Sequence, residues 1–193
     1  MARPRAFDRE TALEQAMQVF WSQGYEATSL THLTGAMGLS KSSLYDTYGS
    51  KHDLFLACID YYRDNVTARV GSVVDLPAPA RQVIQSVLGR AVDRILEPSG
   101  RRGCFLNNTA VEVAPDDPEA ARRCRAGMAM MEDAFHKLVV RGQAENGIAR
   151  THDPEMLARF LTATVNGIMV VGKANPDRDV LENIVDVAMH ALD

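Results

Sequence analysis

Cysteine is scarce in this sequence. The chain has three, Cys58, Cys104 and Cys124, and no Cys-x-x-Cys pair. An odd number of widely spaced cysteines argues against a disulfide framework and gives no zinc-ligand pattern. The five histidines are also scattered, with no His-x-x-x-His spacing. We therefore expect no metal and no other cofactor.

Long apolar runs are missing as well. No stretch approaches the roughly 20 residues that a membrane helix needs. The N-terminal MARPRAFDRE carries arginines but no apolar segment follows, so it is not a secretory signal. We expect a soluble, cytoplasmic protein without a membrane partner.

The chain also lacks an excess of positive charge. Its formal net charge is −4 and its pI is about 5.7. A protein that coats nucleic acid non-specifically should be strongly basic, so this class is excluded. A dimer that reads one DNA site needs positive charge only on its docking face, so the acidity weighs against DNA binding without excluding it.

Helical periodicity is what the sequence does contain. Apolar residues recur at i, i+3, i+4 and i+7 between glycine and proline breaks, and no segment alternates as a strand would. The pattern predicts an all-α chain with about nine helices. Their expected ranges are 8–23, 29–37, 41–48, 50–70, 80–96, 104–113, 118–145, 154–173 and 177–192, with a loop at 98–103.

The most informative segment is 28–55, which predicts two short helices joined by a tight turn. Gly38 suits that turn because positive φ carries no steric cost for glycine. Ser40 can cap the second helix, which turns Leu44 and Tyr48 toward the core. Such a helix-turn-helix places its second helix in the DNA major groove.

The same residues resemble a known family. Gly-Leu-Ser at positions 38–40 followed by Leu-Tyr-Asp-Thr-Tyr-Gly-Ser-Lys-His-Asp-Leu at positions 44–54 is similar to the DNA-binding domain of TetR-family repressors. The resemblance covers Phe7 to about Phe55. It implies a DNA-binding domain at 6–66, with its helix-turn-helix at about 29–48, and a ligand-binding and dimerisation domain at 67–193.

The expected DNA contacts follow from the helix-turn-helix. Side chains at the N-terminal end of the second helix reach base edges, and Lys41 can donate to guanine O6 and N7. Tyr45 reaches a phosphate or a thymine methyl group. The expected DNA-binding residues are Thr28, Ser29, Lys41, Ser42, Ser43, Tyr45, Thr47 and Lys51. The alternative is that the serines only cap helices and Tyr45 only packs; Arg3 and Arg5 form either a minor-groove arm or a disordered tail.

An effector site is expected around the helix that begins near Cys104. Cys104 and Asn108 lie near one face, and Glu112 follows one turn later. Methionines on the next long helix suit an adaptable pocket wall. The expected ligand residues are Cys104, Phe105, Asn108, Glu112, Met128, Met131, Phe135 and Lys173. The alternative is that these residues are core, with Asn108 and Glu112 in interhelical hydrogen bonds.

The Gly-Cys start of this helix resembles a TetR subgroup in which some members sense electrophiles or oxidants. The resemblance implies a reactive thiol at Cys104 with Lys173 nearby. A helix N-terminus and an adjacent lysine both lower a thiol pKa. The alternative is a buried, inert cysteine.

The last two predicted helices carry wide apolar faces. A face of this width exceeds what a monomer leaves exposed, so we expect a homodimer built as a four-helix bundle that presents two recognition helices to a palindrome. The expected dimer residues are Leu161, Val165, Ile168, Val180 and Ile184. A monomeric core is the alternative.

The sequence therefore predicts a homodimeric repressor that a small-molecule or oxidant effector releases from double-stranded operator DNA. Two other classes stay open at this point. One is a helical-bundle enzyme or redox-active protein that uses Cys104 or Glu112, although no nucleophile–base spacing supports it. The other is an interaction adaptor without DNA binding, against which Lys41 and Lys51 argue.

Overall fold

The computed structural model describes the backbone of residues 8–193 and the side chains of residues 8–65 and 73–193. Arg3 and Arg5 lie outside the described residues. Within 8–193 the chain forms nine α-helices and no strand, which confirms the all-α prediction. The helices are α1 (Arg9–Gln23), α2 (Leu30–Met37), α3 (Lys41–Tyr48), α4 (Lys51–Val74), α5 (Ala80–Leu96), α6 (Phe105–Glu112), α7 (Pro118–Ala144), α8 (Pro154–Ala174) and α9 (Arg178–His190).

Most helices begin at a side-chain cap. A hydroxyl or carboxylate oxygen accepts a backbone N–H of the first turn and so satisfies a donor that the helix itself leaves unpaired. The capping residues are Asp8, Ser29, Ser40, Ser50, Asp117, Asp153 and Asp177. The prediction of a loop at 98–103 was wrong, because Pro98–Arg102 forms a 3₁₀ turn. Pro98 supplies the φ of a helix start, and Gly103 at φ 75° ends the turn.

The first three helices pack on the start of α4. Phe20, Leu33, Leu44 and Phe55 are at most 1% exposed in this core, and Gly38 at φ 63° makes the turn between α2 and α3. The same apolar cluster continues into α6 and the first turns of α7. The core of the first four helices is therefore continuous with that of α6 and the start of α7.

A second core lies between α5, α7, α8 and α9. Its fully buried side chains include Leu88, Ile95, Leu138, Leu161 and Ile168. α4 runs without a break through the expected domain boundary at 66/67. The domain limits 6–66 and 67–193 stay a prediction.

No helix in the described part of the chain is both long and apolar enough to cross a bilayer. Over the same residues, no three His, Cys, Asp or Glu side chains come together as a metal site.

Candidate nucleic-acid interface and ligand cavity

The outer face of α3 is open to solvent. Lys41, Ser42 and Tyr45 are exposed, while Leu44 on the opposite side is fully buried and anchors the helix. The Ser40 Oγ accepts the Ser43 N–H at 3.1 Å and lies 2.9 Å from the hydroxyl of Ser42. Ser40 is thus the cap, Ser43 supplies the N–H that it accepts, and Ser42 keeps an exposed position beside Lys41. These are the side chains that a major-groove helix needs at its N-terminal end.

Two of the expected phosphate contacts are corrected. Thr28 is 2% exposed, and its hydroxyl donates to the Gly24 carbonyl at 2.6 Å. The Thr47 hydroxyl donates to the Ser43 carbonyl at 2.7 Å, one turn earlier in its own helix. Both donors are used inside the protein, because a short hydroxyl side chain readily bonds to nearby backbone.

Ser29 and Lys51 remain at the surface that surrounds α3. Ser29 is exposed and forms a reciprocal capping box with His32 at the start of α2. Lys51 lies in the first turn of α4, and its ammonium is 4.4 Å from the ring centre of Tyr25. This cation–π contact holds the charge near the positive N-terminal end of α4, where a phosphate is favoured.

A cavity of about 680 Å³ lies mainly among the C-terminal helices, with Trp21 of α1 and Tyr62 of α4 also in its lining. Four of the expected ligand residues line it, namely Cys104, Met128, Met131 and Phe135. Its volume falls within the roughly 300–1,000 Å³ range of small-molecule sites. Ten polar or aromatic lining residues did not emerge from the sequence: Trp21, Tyr62, Arg90, Arg94, Glu97, Ser99, Arg102, Asn107, Thr162 and Asn166.

The other expected ligand residues lie elsewhere. Phe105, Asn108, Glu112 and Lys173 line a separate cleft of about 450 Å³, and Cys104 contributes to both spaces. The single site expected from the sequence is therefore wrong in this respect. One side of α6 faces the cavity and another side faces the cleft. The i, i+4 spacing of the α6 residues does not predict which side contacts a ligand.

The polar side chains of the cleft are used in contacts between elements. The Asn108 amide donates to the Arg102 carbonyl at 2.9 Å and accepts from the Lys173 ammonium at 3.3 Å. Glu112 accepts the Glu26 N–H at 3.1 Å, in the turn between α1 and α2. Gly24 has φ 83°, which favours glycine, and a Cβ there would lie 2.8 Å from the Glu112 carboxylate. The interhelical alternative for Asn108 and Glu112 is the one the structure shows.

The three thiols differ in their surroundings. Burial raises the pKa of Cys58 far above its usual range and raises that of Cys124 to about 11. Cys104 is half-buried at the N-cap of α6, and the Tyr62 hydroxyl donates to its sulfur at 3.5 Å. The ammonium of Lys173 bonds to Asn108 rather than to this thiol.

A second contact joins the N-terminal helices to the C-terminal half. His52 Nε2 lies 2.5 Å from a carboxylate oxygen of Asp117, which also caps α7. Partial burial raises the pKa of the Asp117 carboxyl, but hydrogen bonds from the Ala120 N–H and from His52 outweigh it, so the pKa lies below its ordinary value. The contact links the first turn of α4 to the start of α7.

Two family models match the chain. "Bacterial regulatory proteins, tetR family" matches residues 12–58, and "Tetracyclin repressor-like, C-terminal domain" matches residues 80–188. The chain belongs to the TetR family of transcriptional regulators. TetR-family proteins regulate transcription and are not enzymes, so the enzyme alternative built on Cys104 or Glu112 is set aside.

Known TetR-family proteins match over nearly the whole chain. The HTH-type transcriptional regulator YezE of Bacillus subtilis is 33% identical over all of both chains. The repressor ComR of Escherichia coli is 28% identical over 96% of this chain and 88% of its own. A solved structure of a cysteine mutant of the TetR-family regulator CifR, complexed with a 26-bp operator DNA, is 34% identical, covers 99% of this chain and 100% of that one, and has a TM-score of 0.86.

The expected dimer residues of this TetR-family chain divide into three groups. Leu161 and Ile168 are fully buried in the protomer and have no surface left for a second chain, which corrects their assignment. Val165 lines the cavity and is partly buried. Val180 is 38% exposed and Ile184 is partly exposed, so these two keep surface for a partner.

Proposed function

We propose that the protein is a homodimeric, cytoplasmic repressor that binds a palindromic operator and is released by an effector in the 680 Å³ cavity. One observation carries the proposal. The outer face of α3 presents Lys41, Ser42 and Tyr45 to solvent at the position where a recognition helix enters the major groove. The operator complex of the related CifR supports it.

The dimer is supported by an apolar stripe that the protomer leaves exposed. On α8 it contains Met156, Phe160 and Val170, which are 68%, 41% and 56% exposed. On α9 it contains Val180 and Val187, which are 38% and 68% exposed. An isologous four-helix bundle would bury both rows and set two recognition helices about one DNA turn apart.

The release mechanism is a population shift transmitted by α4. This helix begins at Lys51 beside the DNA face, and its residues Tyr62, Val73 and Val74 line the cavity. An effector that binds more tightly when α4 is displaced favours that conformation. The spacing of the two recognition helices then no longer fits one helical turn of DNA.

The DNA contacts can be tested with three lysine variants. Lys51→Ala should weaken binding to every sequence and lower the salt dependence, because it removes a phosphate contact from each subunit. Lys41→Ala should relax base preference at one position per half-site, by about 1–3 kcal/mol. Fluorescence anisotropy with operator and scrambled duplexes at several salt concentrations measures both effects.

Lys137→Ala is the matched control, since Lys137 is an exposed lysine on α7 that pairs with Asp133. It should leave DNA binding unchanged. A footprint of the wild-type protein near its own promoter should show a protected inverted repeat. If no such repeat is protected, the repressor proposal fails.

A covalent effector is a second candidate, and the accessibility of Cys104 favours it. Cys104 should react with N-ethylmaleimide at pH 7 much faster than Cys58 or Cys124, which are buried and have raised pKa values. The sulfur adds to one carbon of the maleimide double bond, and the other carbon takes up the thiol proton. The adduct adds bulk at the start of α6. Alkylation should therefore release DNA from the wild type and leave Cys104→Ser bound.

Mass spectrometry identifies the modified cysteine, and anisotropy on the same sample measures the bound DNA. DNA release by N-ethylmaleimide from Cys104→Ser would contradict a sensor role for this thiol. Full alkylation of Cys104 with unchanged operator binding would contradict it as well.

A further inference from the structure

One end of the 680 Å³ cavity carries positive charge. Arg90, Arg94 and Arg102 line it, and Glu97 is the single acidic residue among the lining side chains that the structure describes. Neither Arg94 nor Arg102 forms an ion pair with any carboxylate whose side chain the structure describes, whereas most other arginines of the C-terminal half do. Both arginines are partly buried, and their described hydrogen bonds go to neutral oxygens of Tyr62, Ser99 and Gln18. Their positive charge is therefore available to an anion in the cavity.

Trp21 brings these two arginines together. The guanidinium carbon of Arg102 lies 4.5 Å from the ring centre of Trp21, and that of Arg94 lies 5.8 Å from it. The indole Nε1 is buried and has no hydrogen-bond partner among the described residues. This burial keeps the N–H away from the open space of the cavity, so the donors available there are the two guanidinium groups.

Much of the remaining lining is apolar and adaptable, although Asn107, Thr162 and Asn166 also contribute to it. Met128, Met131, Phe135 and Leu138 line it. Methionine side chains conform to irregular shapes, so this wall accepts a hydrophobic body without requiring one outline. The two ends together match an amphipathic molecule with one acidic group.

We propose that the effector is a carboxylate-bearing amphiphile whose acid group binds Arg94 and Arg102 beside Trp21, with its apolar body along the methionine wall. The proposal rests on the proposed function for its regulatory consequence, since it names the ligand class of the same cavity. A guanidinium and a carboxylate form two parallel charge-assisted hydrogen bonds, which a neutral ligand cannot match.

The position of the acid group also explains how binding reaches the DNA. Trp21 belongs to α1, and Arg102 donates to the Gln18 amide oxygen of the same helix at 2.5 Å. A carboxylate accepts more strongly than an amide, so it competes with Gln18 for Arg102. The bound ligand then changes the contact between the 3₁₀ turn Pro98–Arg102 and the DNA-binding helices.

The experiment uses the full chain and its single tryptophan, Trp21, as an internal probe. Octanoate, decanoate and 4-phenylbutyrate are each titrated beside the primary alcohol of the same carbon skeleton. Tryptophan fluorescence and calorimetry should show each acid binding at least about tenfold more tightly than its alcohol. Arg94→Met and Arg102→Met should each remove most of that preference, whereas Arg94→Lys should keep part of it.

Arg101→Met is the matched control, since Arg101 is the exposed neighbour of Arg102 and does not line the cavity. Its preference for acids should equal that of the wild type. The inference is overturned if no acid binds more tightly than its alcohol, or if the preference survives both Arg94→Met and Arg102→Met. Operator binding is measured separately without ligand. A chain that prefers acids but binds no operator overturns the proposed function and leaves the ligand class standing.

Discussion

Replacing Val187 by Asp should convert the protein into folded monomers that no longer bind the operator. Val187 is 68% exposed on α9, so the protomer tolerates the charge. In the proposed dimer two carboxylates would be buried without partners, at a cost of several kcal/mol. The dimer dissociation constant should rise at least about 100-fold. Light scattering measures the mass, circular dichroism the fold, and anisotropy the operator affinity.

Val140→Asp is the control for this experiment. Val140 is an exposed valine on α7, 46% exposed and outside the stripe on α8 and α9. The same substitution there should leave the mass and the operator affinity unchanged. A Val187→Asp protein that remains dimeric and binds DNA as the wild type does would contradict the proposed interface.

Replacing Ile168 by Asp should unfold the protomer itself. Ile168 is fully buried between α8 and the helices of the second core, with no polar partner. Placing a carboxylate there should lower the free energy of unfolding by at least about 4 kcal/mol, a large part of the 5–15 kcal/mol of a typical domain. Urea denaturation followed by circular dichroism measures the loss, and loss of DNA binding follows from it.

Ile168→Val is the conservative control and should cost about 0.5–1.5 kcal/mol without changing the mass. The pair of aspartate variants separates two roles of the terminal helices. Val187→Asp should give a folded monomer, and Ile168→Asp an unfolded chain. A stable, monomeric Ile168→Asp protein would mean that Ile168 serves the dimer after all.

The sequence was sufficient to predict the structural features that depend on residues close together along the chain. Ser40 was expected to cap α3, Gly38 to make the turn before it and Leu44 to face inward, and the structure agrees on all three. Caps, turns and short amphipathic helices depend on interactions within a few residues, so local spacing predicts them. This is why the helix-turn-helix and the exposed face of Lys41 and Tyr45 followed from a short segment.

Two threonine side chains show the limit of prediction from neighbouring residues. Thr28 and Thr47 were expected to hold phosphates, but each donates to a carbonyl four residues earlier. The residue type permits either partner. The choice depends on whether the hydroxyl is accessible to solvent, and for Thr28 the packing of α1 and α2 removes that access.

By itself, the sequence determined the helical class, the recognition helix and the apolar character of α8 and α9. Only the tertiary structure decided which sides of those helices face inward. Leu161 and Ile168 proved to be core while Val187 stayed exposed. The tertiary structure also places Trp21, Arg94 and Arg102 around one cavity, and it places the Glu112 carboxylate at the turn after α1. These residues are far apart in sequence, and periodicity shows that a face is apolar without naming the helix that packs against it.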